Sequence, residues 1–142
     1  MVGIKTPDTP KSFPPGVTAL TAVPHGTVMA IWDRALFGVF PSKWPEPLAT
    51  VVHEAMSKGR PVIGTTPGGH ADMIDDGETG LLVPGGDAEA LAAAMALLID
   101  DAELRDRLGR EAERRARRFT REAVVPQLER LYYETVTVAQ EA

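Results

Sequence analysis

Two glutamates, Glu46 and Glu54, stand eight positions apart in the segment Pro41-Ser42-Lys43-Trp44-Pro45-Glu46-Pro47-Leu48-Ala49-Thr50-Val51-Val52-His53-Glu54-Ala55-Met56. Ionised carboxylates accept hydrogen bonds from sugar or ribose hydroxyls. Pro47 suits the first position of a helix, which makes Glu46 the N-cap residue. The first N–H groups of a helix have no internal partner and lie at the positive end of its dipole. Pro47 has no N–H, so Leu48, Ala49 and Thr50 supply the free donors, a natural seat for a diphosphate. At ~1.5 Å rise per residue the two glutamates are separated by roughly 12 Å along the axis. A sugar and a ribose joined through a diphosphate span a comparable length. Spacing alone also admits a plainer reading, with Glu46 a simple cap and Glu54 a solvated or ion-paired residue.

This segment must be held by its neighbours. Leu36–Phe40 is a continuous apolar run ended by Pro41, as in a strand buried on both faces of a parallel sheet. A helix follows from about Pro47 to Lys58, with Gly59 as its stop and Pro61 beyond. Pro61–Thr65 reads as the next buried strand, Gly68-Gly69 as a turn, and Ala71–Asp75 as a short helix. Asp76-Gly77 turns the chain into a strand at Gly80–Val83. Asp87 caps a helix reaching Ile99, and Asp100 with Glu103 has capping-box spacing for another. Thr120 caps the last helix, which Pro126 should kink.

Upstream, residues 5–16 hold four prolines and form a loop. Val2–Ile4 reads as the end of a strand and Val17–Thr21 as a short strand. In His25–Ala35, apolar residues recur at helical spacing, with Met29 and Trp32 on the core stripe. Alternating strands and helices predict a parallel sheet with right-handed crossovers. Open sheets of this kind bind ligands at the carboxyl ends of their strands, where the Glu46 segment begins.

Bulk properties set limits. A chain of 142 residues with 44% hydrophobic and 25% charged residues suits one soluble domain. Its expected parts are a partial strand and proline-rich loop over 1–16, a core over 17–100 and terminal helices over 101–142. The net charge of −5 argues against a nucleic-acid partner. With no cysteine, disulfides and thiolate chemistry are excluded, and a reducing cytoplasm is the expected location. No apolar run approaches the ~20 residues of a membrane span, and the start lacks the pattern of a signal peptide.

Other candidates carry weaker signals. His25, His53 and His70 have no metal-ligand spacing, and His53 is expected to pack locally. His70, after the glycine pair, either packs or faces a ligand. Trp44 either flanks the ligand or covers the helix start. The run Arg105–Arg118 reads as a solvated helical face with i,i+4 pairs.

The ordered series of motifs resembles the C-terminal domain of retaining GT-B glycosyltransferases of family 4 (glycosyl transferases group 1). Glu46 and Glu54 match its Glu-x7-Glu motif. Glu54-Ala55-Met56, Gly59 and Pro61-Val62 match the continuation. Gly68-Gly69 with Asp72, and Asp76-Gly77 with Gly80–Val83, match the later motifs. The resemblance covers Pro41 to about Tyr133, and more faintly Val17–Phe40. It implies an α/β fold, a Rossmann-like three-layer domain with a parallel sheet, lacking the first strand-helix unit or units.

It further implies that Glu54 binds the ribose hydroxyls of a nucleoside diphosphate sugar and that Glu46 positions the donor sugar. The N–H groups of Leu48, Ala49 and Thr50 would approach the diphosphate, with Ser42 and Lys43 on the same connection. Thr21 to Val23 would lie near the base. Such enzymes look metal-independent and use no cofactor beyond the donor.

Three departures stand out. Leu48-Ala49 replaces the common Phe-Gly, and Asp72 the usual glutamate. The family's Arg/Lys pair and its N-terminal acceptor domain are absent from this sequence. The chain is therefore expected to be an inactive fragment of a two-domain enzyme. It could otherwise be one subunit of a split enzyme, or a non-catalytic nucleotide- or protein-binding module. Self-association through a truncated sheet edge is a further expectation.

Overall fold

The computed structural model describes residues 2–3, 10–47 and 50–140. The chain divides into two compact units, residues 1–34 and 35–142.

In the first unit, β1 (Val2–Gly3) pairs in parallel with β2 (Leu20–Thr21). Ile4 and residues 5–9 of the expected loop lie outside the described residues. The strand expected from Val17 starts only at Leu20, where pairing with Val2 begins. Helix α1 (His25–Trp32) ends three residues before Ala35. The Arg34 N–H reaches back to the Ile31 carbonyl at 3.0 Å, a tightened last turn. Met29 and Trp32 are half-buried rather than core residues.

The second unit holds a parallel sheet in the order β3 (Gly38–Phe40), β4 (Val62–Thr66), β5 (Gly80–Pro84). Helix α2 (Thr50–Ser57) connects β3 to β4, and the single turn α3 (His70–Met73) connects β4 to β5. Three helices follow: α4 (Ala88–Asp100), α5 (Ala102–Ala116) and α6 (Arg121–Gln140). This is the Rossmann-like α/β architecture expected. Strand β3 begins at Gly38, not Leu36, because it pairs with β4 from Val62 onward. The residue before Val62 is Pro61, whose carbonyl accepts from Gly38 N–H at 3.0 Å but which has no N–H to give.

Side chains alternate across the sheet. On one side Ile63 and Val83 pack with Ala94, Leu98 and Leu108 of α4 and α5. On the other, Gly64 lies against His70 and Ile74. Helix α2 buries Val52, Ala55 and Met56. Its end is a Schellman motif: Arg60 N–H donates to the Ala55 carbonyl and Gly59 N–H to that of Met56. Gly59 sits at φ +64, as the expected stop requires.

Asp87 caps α4, accepting from Ala90 N–H at 2.9 Å. The cap of α5 is Asp101, which accepts from Leu104 N–H at 2.8 Å, and not Asp100, which is still helical in α4. Thr120 precedes α6 with extended backbone, but its hydroxyl donates to the Arg117 carbonyl. Helix α6 continues through Pro126.

The arginine run is only partly a solvated face. Arg117 pairs with Glu113 at i,i+4. Arg105 instead reaches the Leu98 and Ile99 carbonyls at the end of α4. Arg115 spans from α5 to the Met73 and Asp72 carbonyls and to Asp75. These guanidiniums satisfy backbone acceptors left open where helices end.

Leu98 is fully buried in the α4–β4–α5 cluster, whereas Leu128 of α6 is 64% exposed. Leu98→Ala is expected to destabilise the chain by about 2–5 kcal/mol. Leu128→Ala should stay within about 0.5 kcal/mol. Urea unfolding midpoints check both.

Candidate functional site

Because β3, β4 and β5 are parallel, their carboxyl ends share one edge. The Pro41–Pro47 connection leaves β3 there, and the Pro67–Gly69 turn leaves β4 beside it. The Thr65 hydroxyl donates to the Ser42 carbonyl at 2.8 Å. The Gly69 N–H donates to the Glu46 carbonyl at 2.6 Å. The Gly85 N–H, after β5, donates to the Thr66 carbonyl at 2.8 Å. The loops after β3 and β4 are thus joined to each other, and those after β3 and β5 are each tied to the end of β4.

Both glycines of the turn are required by contact. A β-carbon on Gly68 would come to 2.9 Å from the Glu46 nitrogen, and one on Gly69 would overlap the Pro47 carbonyl. Gly68 also sits at φ +144, backbone that other residues rarely adopt.

Glu46 is half-buried and its Oε2 accepts from Trp44 Nε1–H at 3.0 Å. Ser42 is half-buried and Lys43 exposed. Pro47 lies in a bend, and the helix is described from Thr50, which is exposed. Leu48 and Ala49, two of the three expected N–H donors, lie outside the described residues, and with them the start of the helix that Glu46 was expected to cap. Glu54 is half-buried on α2, between the buried Val52 and Ala55.

Thr21 and Val23 belong to the first unit. Thr21 is exposed at the end of β2, Val23 is half-buried, and Ala22 between them turns the chain at φ +53.

Of the histidines, His70 is 1% exposed. Its Nδ1 accepts from Thr65 N–H at 3.2 Å, so it braces β4 against α3 from within. His53 does not pack locally as expected but reaches across the fold, with Nε2 at 3.0 Å from the Ala116 carbonyl and its ring edge-on to Phe119. Among the described residues no cluster of histidine and carboxylate side chains is arranged to hold a metal ion.

Sequence reasoning missed Thr65 and the Trp44–Glu46 bond. Thr65 offered one signal, a hydroxyl near the carboxyl end of an otherwise apolar strand.

The family profile described as glycosyl transferases group 1 matches residues 13–115. The chain belongs to that family. The D-inositol 3-phosphate glycosyltransferase of Corynebacterium glutamicum is 38% identical over 113 residues, 80% of this chain and 27% of the relative. The lipopolysaccharide core biosynthesis glycosyltransferase LpsE of Rhizobium meliloti is 41% identical over 80 residues, 56% of this chain and 24% of the relative. Among solved structures, sucrose-phosphate synthase from Thermosynechococcus elongatus superposes with a TM-score of 0.78 at 34% identity, covering 85% of this chain and 30% of that one. Anabaena HepE in complex with UDP-glucose shares the fold, with a TM-score of 0.71 at 24% identity over 84% of this chain and 32% of that one. The group 1 chain therefore spans about a quarter to a third of the length of these relatives, and its fold is that of their GT-B C-terminal domains.

Gly69→Ala is expected to force the two loops apart and to destabilise the chain by about 1–3 kcal/mol, as overpacking does. Gly26→Ala, where the added methyl meets nothing within 4 Å, should be neutral or mildly stabilising in helix α1. Chemical unfolding of both variants beside the wild type provides the comparison.

Proposed function

We propose that this chain is the donor-binding part of a retaining glycosyltransferase of family 4, taking a hexosyl group from a nucleoside diphosphate sugar. The observation that carries the reading is the Glu46 loop, fixed at the carboxyl edge of the parallel sheet by Thr65 and Gly69 and followed directly by the helix bearing Glu54. Anabaena HepE, which shares the fold, binds UDP-glucose.

In this account Glu54 accepts hydrogen bonds from the ribose hydroxyls and Glu46 from hydroxyls of the donor sugar. The N–H groups of Leu48, Ala49 and Thr50 approach the diphosphate at the positive end of α2. Ser42 and Lys43 line the same connection. As the anomeric carbon–oxygen bond breaks, negative charge grows on the departing diphosphate. Oriented N–H groups stabilise that charge without reorganising. The acceptor hydroxyl then bonds to the anomeric carbon with its configuration kept, and its proton passes to the departing diphosphate oxygen. No metal or cofactor other than the donor is required.

The acceptor site and the remaining half of the cleft belong to polypeptide outside this chain, in cis or in trans. Alone, the chain binds donor and does not transfer. Leu128, Leu131, Tyr132 and Tyr133 give α6 exposed apolar side chains of the kind an interface covers. A cysteine-free chain suits a reducing compartment, and we place it in the cytoplasm.

Calorimetric titration with UDP, GDP and ADP in turn is the direct test. At least one should bind, and Glu54→Ala should weaken it about tenfold or more, the scale of a lost hydrogen bond to a charged group. Absence of binding at millimolar ligand would reject the donor site, and unchanged binding in Glu54→Ala would reject the ribose role.

A further inference from the structure

The backbone of Glu46 is held at both its nitrogen and its carbonyl. Pro45 and Pro47 flank it, and each fixes its own φ and biases the residue before it to extended backbone. Its carbonyl accepts from Gly69 N–H at 2.6 Å, and its backbone nitrogen lies where Gly68 leaves no space for a β-carbon. The backbone is therefore settled before any ligand arrives. What remains is the side chain, with three rotatable bonds and a carboxylate that water would let wander.

That last freedom is removed by Trp44. Its indole Nε1–H, a donor with no acceptor role, gives its one hydrogen bond to Glu46 Oε2 at 3.0 Å. A hydrogen bond to an ionised carboxylate is stronger than a neutral one, and it has direction. Trp44 is itself 64% exposed, so it is not there to fill the core. Its own position is set by the stiff Trp44-Pro45 step and by Ser42, whose carbonyl is tied to Thr65 at 2.8 Å. Among the described residues Oε2 is thus committed to the indole, and Oε1 is the oxygen left to accept from a ligand hydroxyl.

We propose that Trp44 is a positioning residue that aims the Glu46 carboxylate at the sugar of the donor. The inference rests on the donor-binding reading above and adds a residue to it. It makes a distinction that a mere loop brace would not. Loss of the indole N–H should affect ligands that carry the sugar and spare those that end at the diphosphate, because Glu46 meets only the sugar.

The test compares the full chain with its Trp44→Phe variant, which keeps an aromatic ring and removes the N–H. Each is titrated with UDP and with UDP-glucose, or with another nucleoside diphosphate and its glucose conjugate if the wild type prefers that base. The expected result is an unchanged affinity for the nucleoside diphosphate, a roughly fivefold to tenfold loss for the sugar nucleotide, and an unchanged urea midpoint. In a Glu46→Ala background the same substitution should have no further effect on the sugar nucleotide, the non-additivity expected of coupled residues. If both ligands weaken equally, or neither does, Trp44 only braces the loop and the inference falls while the donor site stands. If the wild type binds neither ligand, the donor reading falls and takes the inference with it.

Discussion

The Gly69 N–H meets the Glu46 carbonyl at 2.6 Å, and around this bond two loops from adjacent parallel strands lie backbone against backbone. Only glycine permits the approach, since a β-carbon at position 69 would overlap the Pro47 carbonyl. The contact joins the carboxyl edges of β3 and β4 and fixes where the chain stands when it enters α2. Glu46, Thr50 and Glu54 all take their places from that entry point. Thr65 adds a second tie on the near side, through Ser42, so the connection is pinned close to both of its ends.

Much of the fold was legible because its signals are local. Gly59 ends α2 in a Schellman motif, Asp87 caps α4, and Asp76-Gly77 turns the chain ahead of β5. Apolar runs marked β4 and β5 to within a residue. The errors fell where a partner sets the boundary. Strand β3 starts at Gly38 because pairing with β4 begins at Val62, and β2 starts at Leu20, where its pairing with Val2 begins. The capping aspartate of α5 shifted from Asp100 to Asp101 because α4 runs one residue further than its apolar stripe suggests.

The family was legible in the order of the motifs around the candidate site, and the group 1 family extends over residues 13–115. The internal wiring of the site was not. The Thr65–Ser42 bond spans 23 positions, and the Arg115 reach to the Met73 carbonyl spans 42. Such contacts depend on how loops and helices approach one another, which no local pattern encodes. The Trp44–Glu46 bond spans only two positions, yet it depends on the backbone angle imposed by Pro45. His70 was ambiguous for the same reason: its neighbours in sequence are glycines at the carboxyl edge of the sheet, but its ring turns inward to Thr65.

The proposed donor site lies at the edge built by Glu46, Gly68-Gly69 and α2. Backbone amide NMR spectra, recorded while a nucleoside diphosphate sugar is added, report the location of binding directly. The shifted resonances should cluster at Trp44, Glu46, Gly68, Gly69, Thr50 and Glu54. Shifts confined to the arginines of α5, or no saturable shifts at all, would contradict it.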